Sequence, residues 1–233
     1  MKFPLLFKRR YCFLPTLWGT LIIVVVLVLL SGLAIKNFAN FLALNVPVSS
    51  RYLVVEGWLP KTGLKDALIE FEQGDYALLI TSGGPDISEF DLGYLSYAER
   101  AADELLKMGL DPSKLVIAPS PASAQDRTYL SAVMVRNKLA ERLKAMPGSI
   151  NVFSSDVHSR RSYILYKLAF RNTSTQIGIV ANDSNKFNLA SWWKTSEGAK
   201  SVLTEMFGWL WTKCCFVSHE AGSHSELWGQ EHG

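Results

Sequence analysis

From residue 51 onward the chain alternates short apolar runs with helical patterns, and this alternation limits its fold more than any other feature. Residues 51–55, 78–81, 114–118, 150–153 and 176–180 are apolar runs of strand length. Between them lie 62–73, with Leu64, Ala67, Leu68 and Phe71 on one helical face, 97–108, stopped by Gly109, and 126–143, closed by Pro147-Gly148. A further helical pattern, 162–170, follows the fourth run. Strands joined through helices run parallel, with helices covering both faces of the sheet. The expected fold is α/β: a Rossmann-like, doubly wound, mainly parallel five-stranded sheet with the common strand order 3-2-1-4-5.

Ahead of this pattern, residues 17–35 carry no charge. At ~1.5 Å rise per residue they span roughly 28 Å, about the hydrocarbon thickness of a bilayer. Lys2, Lys8, Arg9 and Arg10 precede the run, Lys36 follows it, and no acidic residue occurs before Glu56. The basic side stays in the cytoplasm. The expected arrangement is a single-pass anchor in a bacterial inner membrane with the main domain outside. A cleaved signal peptide competes, since Gly32-Leu33-Ala34 is a small-residue cleavage site, but the run is long for a signal core. The expected divisions are a basic cytoplasmic N-terminus at 1–16, an anchor at 17–36, a linker at 37–50, the α/β domain at 51–213 and a disordered tail at 214–233. Without those four N-terminal cations, 20 basic residues face 21 acidic ones, so the domain has no nucleic-acid footprint.

Three cysteines make no disulfide framework. Cys12 lies across the expected membrane from the others, and neighbours Cys214 and Cys215 read as apolar filler at a helix end. No pair has zinc-finger spacing. Residues 195–217 form an amphipathic pattern in which Val202, Leu203, Met206, Phe207, Leu210 and Trp211 share one face. That face is expected to pack on the sheet, with a membrane-surface role for Trp209 and Trp211 as the alternative. His219, His224 and His232 fall in the tail, so any histidine chemistry in the folded domain must use His158.

His158 sits where the fourth strand hands over to a helix, in Ser154-Ser155-Asp156-Val157-His158-Ser159-Arg160-Arg161. Ligands of open α/β sheets bind at the carboxyl ends of strands, beside helix N-termini. In the order 3-2-1-4-5 the rim also gathers Glu56-Gly57-Trp58 from the first strand and Ser82-Gly83-Gly84 from the second. Glycines there let backbone N–H groups approach an anion. Arg127 and Thr128 open the long helix, and Glu99 the one before it. His158 is the candidate acid/base, oriented by Asp156 or Glu56. His158 and Arg161, three apart, share a helical face, whereas Arg160 points to solvent. The candidate ligand-binding residues are Glu56, Gly57, Ser82, Gly83, Gly84, Glu99, Arg127, Thr128, Ser154, Ser155 and Arg161. Plainer roles compete: Asp126 as an N-cap, Glu99 and Arg100 as a solvated pair, His158 bonded to a backbone carbonyl. Dinucleotide-binding, Walker A and nucleophile-elbow motifs are missing from the sequence.

In order, the anchor, Ser82-Gly83-Gly84, Tyr97-Ala98-Glu99-Arg100, Asp126-Arg127-Thr128-Tyr129-Leu130-Ser131-Ala132 and the 154–161 segment resemble the SanA/YdcF/ElyC family of bacterial envelope proteins. So does Trp192-Trp193-Lys194-Thr195-Ser196-Glu197-Gly198. Glu99, Thr128, Ser155, His158 and Arg161 fall on that family's polar pattern. The chain departs from it at Val55-Glu56-Gly57-Trp58-Leu59-Pro60, where many members have a Leu-Gly turn. The resemblance implies a membrane-tethered Rossmann-like domain linked to peptidoglycan or surface-polysaccharide biogenesis. The function expected is binding of a phosphate- or sugar-containing ligand, such as a lipid-linked envelope precursor, with His158 as acid/base and Arg161 and Arg127 on phosphate. A non-catalytic scaffold of envelope synthesis, or a nucleotide- or S-adenosylmethionine-binding protein (as one family member is), are the alternatives. The sequence does not name a cofactor.

Overall fold

The computed structural model describes residues 15–85, 96–121, 127–183 and 186–218. Asp126 and the three tail histidines, assigned above to a cap and a tail, lie outside these residues. The chain forms two compact units, Met1–Asn37 and Phe38–Gly233.

The first unit holds most of helix α1 (Leu17–Leu42). Its apolar side chains over residues 17–35 are exposed, and the helix is long and apolar enough to cross a membrane, as a signal sequence also would be. The helix outlasts the expected end at residue 36 because Ala39 and Leu42, in the second unit, are fully buried in a cluster with Val157, Trp192 and Val202.

In the second unit, β1 (Tyr52–Glu56), β2 (Leu78–Gly83), β3 (Leu115–Pro119), β4 (Ser149–Ser155) and β5 (Gln176–Asn182) make one parallel sheet. Its order is β3-β2-β1-β4-β5, as the alternation predicts. Helices α2 (Lys61–Gln73), α3 (Tyr97–Lys107), α4 (Arg127–Leu143) and α5 (Ser159–Ala169) connect it. The period of two divides each strand between two cores. Leu53, Val55, Leu79 and Phe153 meet Leu64, Leu68 and Phe71 of α2 and Ala101 and Leu105 of α3. Val54, Ile80, Val152 and Ile179 meet Tyr129, Val133 and Leu139 of α4 and Leu165 and Tyr166 of α5. Both faces are therefore covered, as parallel sheets require.

The segment between α1 and β1 is pinned to the sheet. The Asn151 side chain accepts from Val48 N–H (2.9 Å) and donates to Val48 C=O (2.8 Å), while Val46 bridges Ile179. Helix α6 (Ser196–Cys214) corrects the expectation of packing on the sheet: of its apolar pattern only Val202 is buried. Helices α4 and α5 already occupy that sheet face, so α6 lies instead against α5 and the turn Leu189–Lys194. Cys214 and Cys215 are bonded to each other, not separate fillers. Joining chain neighbours closes no loop, so the bond adds no loop-closure constraint.

Candidate functional site

Strand register builds the rim. Glu56 ends β1 opposite Ser82 of β2, and Val55 pairs with Phe153, which places Ser154 beside Glu56. Glu56 is buried at 4% exposure. Its Oε2 accepts from the Ser154 hydroxyl at 2.5 Å and its Oε1 from the Ser162 hydroxyl of α5 at 2.7 Å. The Ser82 hydroxyl donates to Val55 C=O (3.3 Å) and lies 3.2 Å from the Tyr166 hydroxyl. Burial, then the charge of Glu56, push the Tyr166 phenol well above its usual range, so it stays a neutral hydroxyl.

His158 closes the short helical turn Asp156–His158 just before α5. The Asp156 carboxylate accepts from Val157 N–H at 2.6 Å and from the Ser155 hydroxyl at 3.3 Å, so it does not orient the imidazole as expected. Glu205 of α6 does, with Oε1 2.9 Å from His158 Nδ1. Arg161 donates through Nε to Glu205 Oε2 (2.9 Å) and through Nη2 to Oε1 (3.1 Å). Its Nη2 also lies 3.1 Å from His158 Nδ1, but one ring nitrogen cannot both give a proton to Glu205 and accept one from arginine. The shorter, charge-assisted contact decides: Nδ1–H donates to Glu205, and Arg161 approaches Nδ1 because it shares Oε1.

Burial would raise the Glu205 carboxyl, but the charge and hydrogen bond of His158 and the Arg161 fork together hold it down at about 2. The remaining His158 nitrogen, Nε2, is buried without a hydrogen-bond partner, and Glu56 Oε2 stands 3.8 Å away. The imidazole and the Trp58 indole pack edge to face, with ring centroids 4.9 Å apart.

These groups border a cavity of about 740 Å³ at the carboxyl edge of the sheet. Of the residues singled out in the sequence, Glu56, Ser82, Gly83, Gly84, Arg127, Thr128, Ser155, His158 and Arg161 line it. Three others support it from behind. Ser154 is fully buried on Glu56. Gly57 donates to Ser82 C=O at 2.7 Å, in a space where a Cβ would fall 2.4 Å from Tyr97 O. Glu99 accepts from the Ser96 hydroxyl that caps α3. Arg160 is not free in solvent: its guanidinium lies 3.9 Å from the centre of the Phe41 ring, and its Nε donates to Phe41 C=O.

The rest of the wall comes from the chain after β5. Lys186, Glu197, Lys200, Ser201, Thr204 and Glu205 all line the cavity. The signal for them is the polar stripe of the last helix, where 197, 201, 204 and 205 recur at helical spacing beside the more conspicuous apolar pattern. Arg127, Lys186 and Lys200 are exposed at the cavity and have no carboxylate partner among the described residues. The described residues include no cluster of three or more metal-ligating side chains. No protein-family model matches the sequence, and no characterised protein matches it.

Proposed function

We propose that the protein is a membrane-anchored cell-envelope protein whose cavity binds a phosphate- and sugar-bearing ligand, such as a lipid-linked envelope precursor, and transfers or hydrolyses its phosphoryl group. The observation that carries this reading is the buried, unpartnered Nε2 of His158 at the cavity wall. Buried polar atoms without partners are uncommon, and Nε2 is fixed from behind by Glu205.

Arg127, Lys186 and Lys200, without carboxylate partners among the described residues, and the Gly83-Gly84 backbone suit an anion, and the half-exposed Trp58 indole at the cavity suits a sugar. Because Nδ1 is held by Glu205, Nε2 is the ring nitrogen left to exchange a proton. In hydrolysis a water attacks phosphorus, its proton passes to Nε2, the bond to the leaving oxygen breaks, and that oxygen recovers the proton. The imidazolium formed in between is stabilised by Glu205 on one edge and Glu56 on the other. Arg161 is a positioning residue here, since two of its nitrogens are committed to Glu205. The resemblance to the SanA/YdcF/ElyC pattern and the positive-inside order of the N-terminus support the envelope location.

The full chain in detergent is to be assayed with a polyprenyl diphosphate, its sugar conjugate and inorganic pyrophosphate. His158→Ala is expected to keep binding but lose turnover by about 10²–10⁴-fold, the usual contribution of acid–base catalysis. Turnover unchanged in His158→Ala and Arg161→Ala would refute the site assignment. Binding without turnover in the parent protein would favour a scaffold.

A further inference from the structure

The cations of the cavity stand in two groups, at opposite ends of the rim. At one end, the tips of β2 and β3 hold the start of α4. Ser120 N–H donates to Gly83 C=O (3.0 Å), and the Ser120 hydroxyl lies 3.0 Å from that of Ser131. Arg127 and Thr128 precede Ser131 by four and three positions, so one helical face turns all three to the cavity beside Gly83-Gly84. At the other end, α6 brings Lys200, Ser201 and Thr204. Phe187 lies against the first turn of α6, where a Cβ on Gly198 would fall 3.1 Å from its ring, and this contact keeps Lys186 on the same wall. Glu197 shares that wall, but the two lysines outnumber it and neither pairs with it. Between the two ends lie the tips of β1 and β4, with Trp58 and His158.

We propose that the cavity takes a ligand with two separated anionic groups, one at each end, joined by a neutral polyol such as a sugar ring that passes Trp58 and His158. Ser82 and Ser154 flank Glu56 in one row of the sheet, two strand spacings or ~10 Å apart. Lys200 is set ~7.5 Å along the α6 axis from Glu205, the residue that holds His158. A lone phosphate accepts hydrogen bonds of about 3 Å and does not fill both ends. With five heavy atoms at about a water's 30 Å³ apiece, it would occupy only about a fifth of the 740 Å³. The buried, unpartnered Nε2 of His158 makes the middle stretch part of the same ligand site.

The inference rests on the phosphate-binding reading of the cavity but not on turnover: one group is the phosphoryl group already assigned, and the other anchors the ligand. The full chain in detergent is to be titrated calorimetrically with glucose 1-phosphate, glucose 6-phosphate, glucose 1,6-bisphosphate and inorganic pyrophosphate. The bisphosphate is expected to bind at least about tenfold tighter than either monophosphate, because binding at one end raises the effective concentration of the second group at the other. Arg127→Gln and Lys200→Gln, both at exposed positions, are each expected to bring it to within about threefold of the monophosphates. Pyrophosphate, too short for both ends, is expected to weaken in one variant and not in the other. A bisphosphate that binds no tighter than the monophosphates overturns the two-ended site alone. So does pyrophosphate weakened in both variants, since one anion would then meet both cations. A bisphosphate advantage that survives both substitutions overturns the assignment of the ends. No binding of any of the four compounds overturns the phosphate reading and this inference together.

Discussion

Glu205→Gln separates the charge of Glu205 from its shape. The side chain is 14% exposed and meets two cationic or protonatable partners, Arg161 and His158, through three contacts of 2.9–3.1 Å. Folding lowers its carboxyl from 4.5 to about 2. At ~1.4 kcal/mol per pH unit, that drop is about 3 kcal/mol of folding free energy. Glutamine keeps an oxygen near the Arg161 fork but removes the carboxylate charge that faces it, a loss of the kind that costs ~3 kcal/mol or more in buried pairs. For a domain of this size the expected fall in Tm at neutral pH is roughly 6–12 °C. The pH dependence has a definite sign. A carboxyl depressed by folding stabilises above its unfolded value of 4.5, and that contribution is lost as pH falls toward about 2. The parent and the variant are therefore separated by a constant gap above about pH 5, which shrinks to under half by about pH 3. Guanidinium unfolding of the full chain in detergent, followed by tryptophan fluorescence across this range, measures it. A gap below about 1 kcal/mol at neutral pH, or one that persists undiminished in acid, would refute the ion-pair assignment.

Two further substitutions probe the support of the rim. Gly57→Ala drives a Cβ to 2.4 Å from Tyr97 O and 2.8 Å from Ser82 O, both backbone atoms that cannot swing aside. The expected loss is about 1–3 kcal/mol in denaturant unfolding, whereas Gly148→Ala, with open space around it, should stay within about 0.5 kcal/mol. Equal effects at the two glycines would contradict the close approach of β1, β2 and α3. Ser162→Ala removes the donor to Glu56 Oε1 and is expected to cost about 1–3 kcal/mol, more than Ser149→Ala at an exposed hydrogen bond. An unchanged denaturant midpoint for Ser162→Ala would show that Glu56 is not held as described.

The sheet was legible because its signal is local. Each strand is a short apolar run bounded by helical patterns, and a parallel sheet covered on both faces needs nothing subtler. The near half of the cavity was legible for the same reason: Glu56, Ser82, Gly83 and His158 all end or follow strands, and the order of the sheet brings them together. Glu205 was not legible, since it lies 47 positions beyond His158 on a helix outside the sheet. Its apolar periodicity predicted packing on the sheet, but exposed and buried apolar faces have the same spacing. Only the polar stripe at 197, 201, 204 and 205 points to the wall it builds. Arg160 and Arg161 divide in the same way. Spacing put Arg161 on the His158 face, whereas the Phe41 ring that holds Arg160 belongs to a segment the sequence presents as the linker after the anchor.

Glu56 is a costly residue to bury, and that cost bears on the acid–base role proposed for the rim. A carboxylate at 4% exposure loses most of its hydration, and the Ser154 and Ser162 hydroxyls satisfy its lone pairs without neutralising its charge. An apolar residue there would remove that burden, and such replacements often stabilise proteins. The group positioned to offset the charge is His158, whose Nε2 edge faces Glu56 Oε2 across 3.8 Å, too far for a hydrogen bond and close enough for Coulomb attraction. The Nε2 edge thus faces a buried carboxylate, while Nδ1 is engaged by Glu205. The two carboxylates act on the two ring nitrogens differently. Glu205 fixes which nitrogen is available, and Glu56 lies across from that nitrogen. The proposed acid–base role accordingly assigns proton transfer to Nε2, on a residue that lines the cavity.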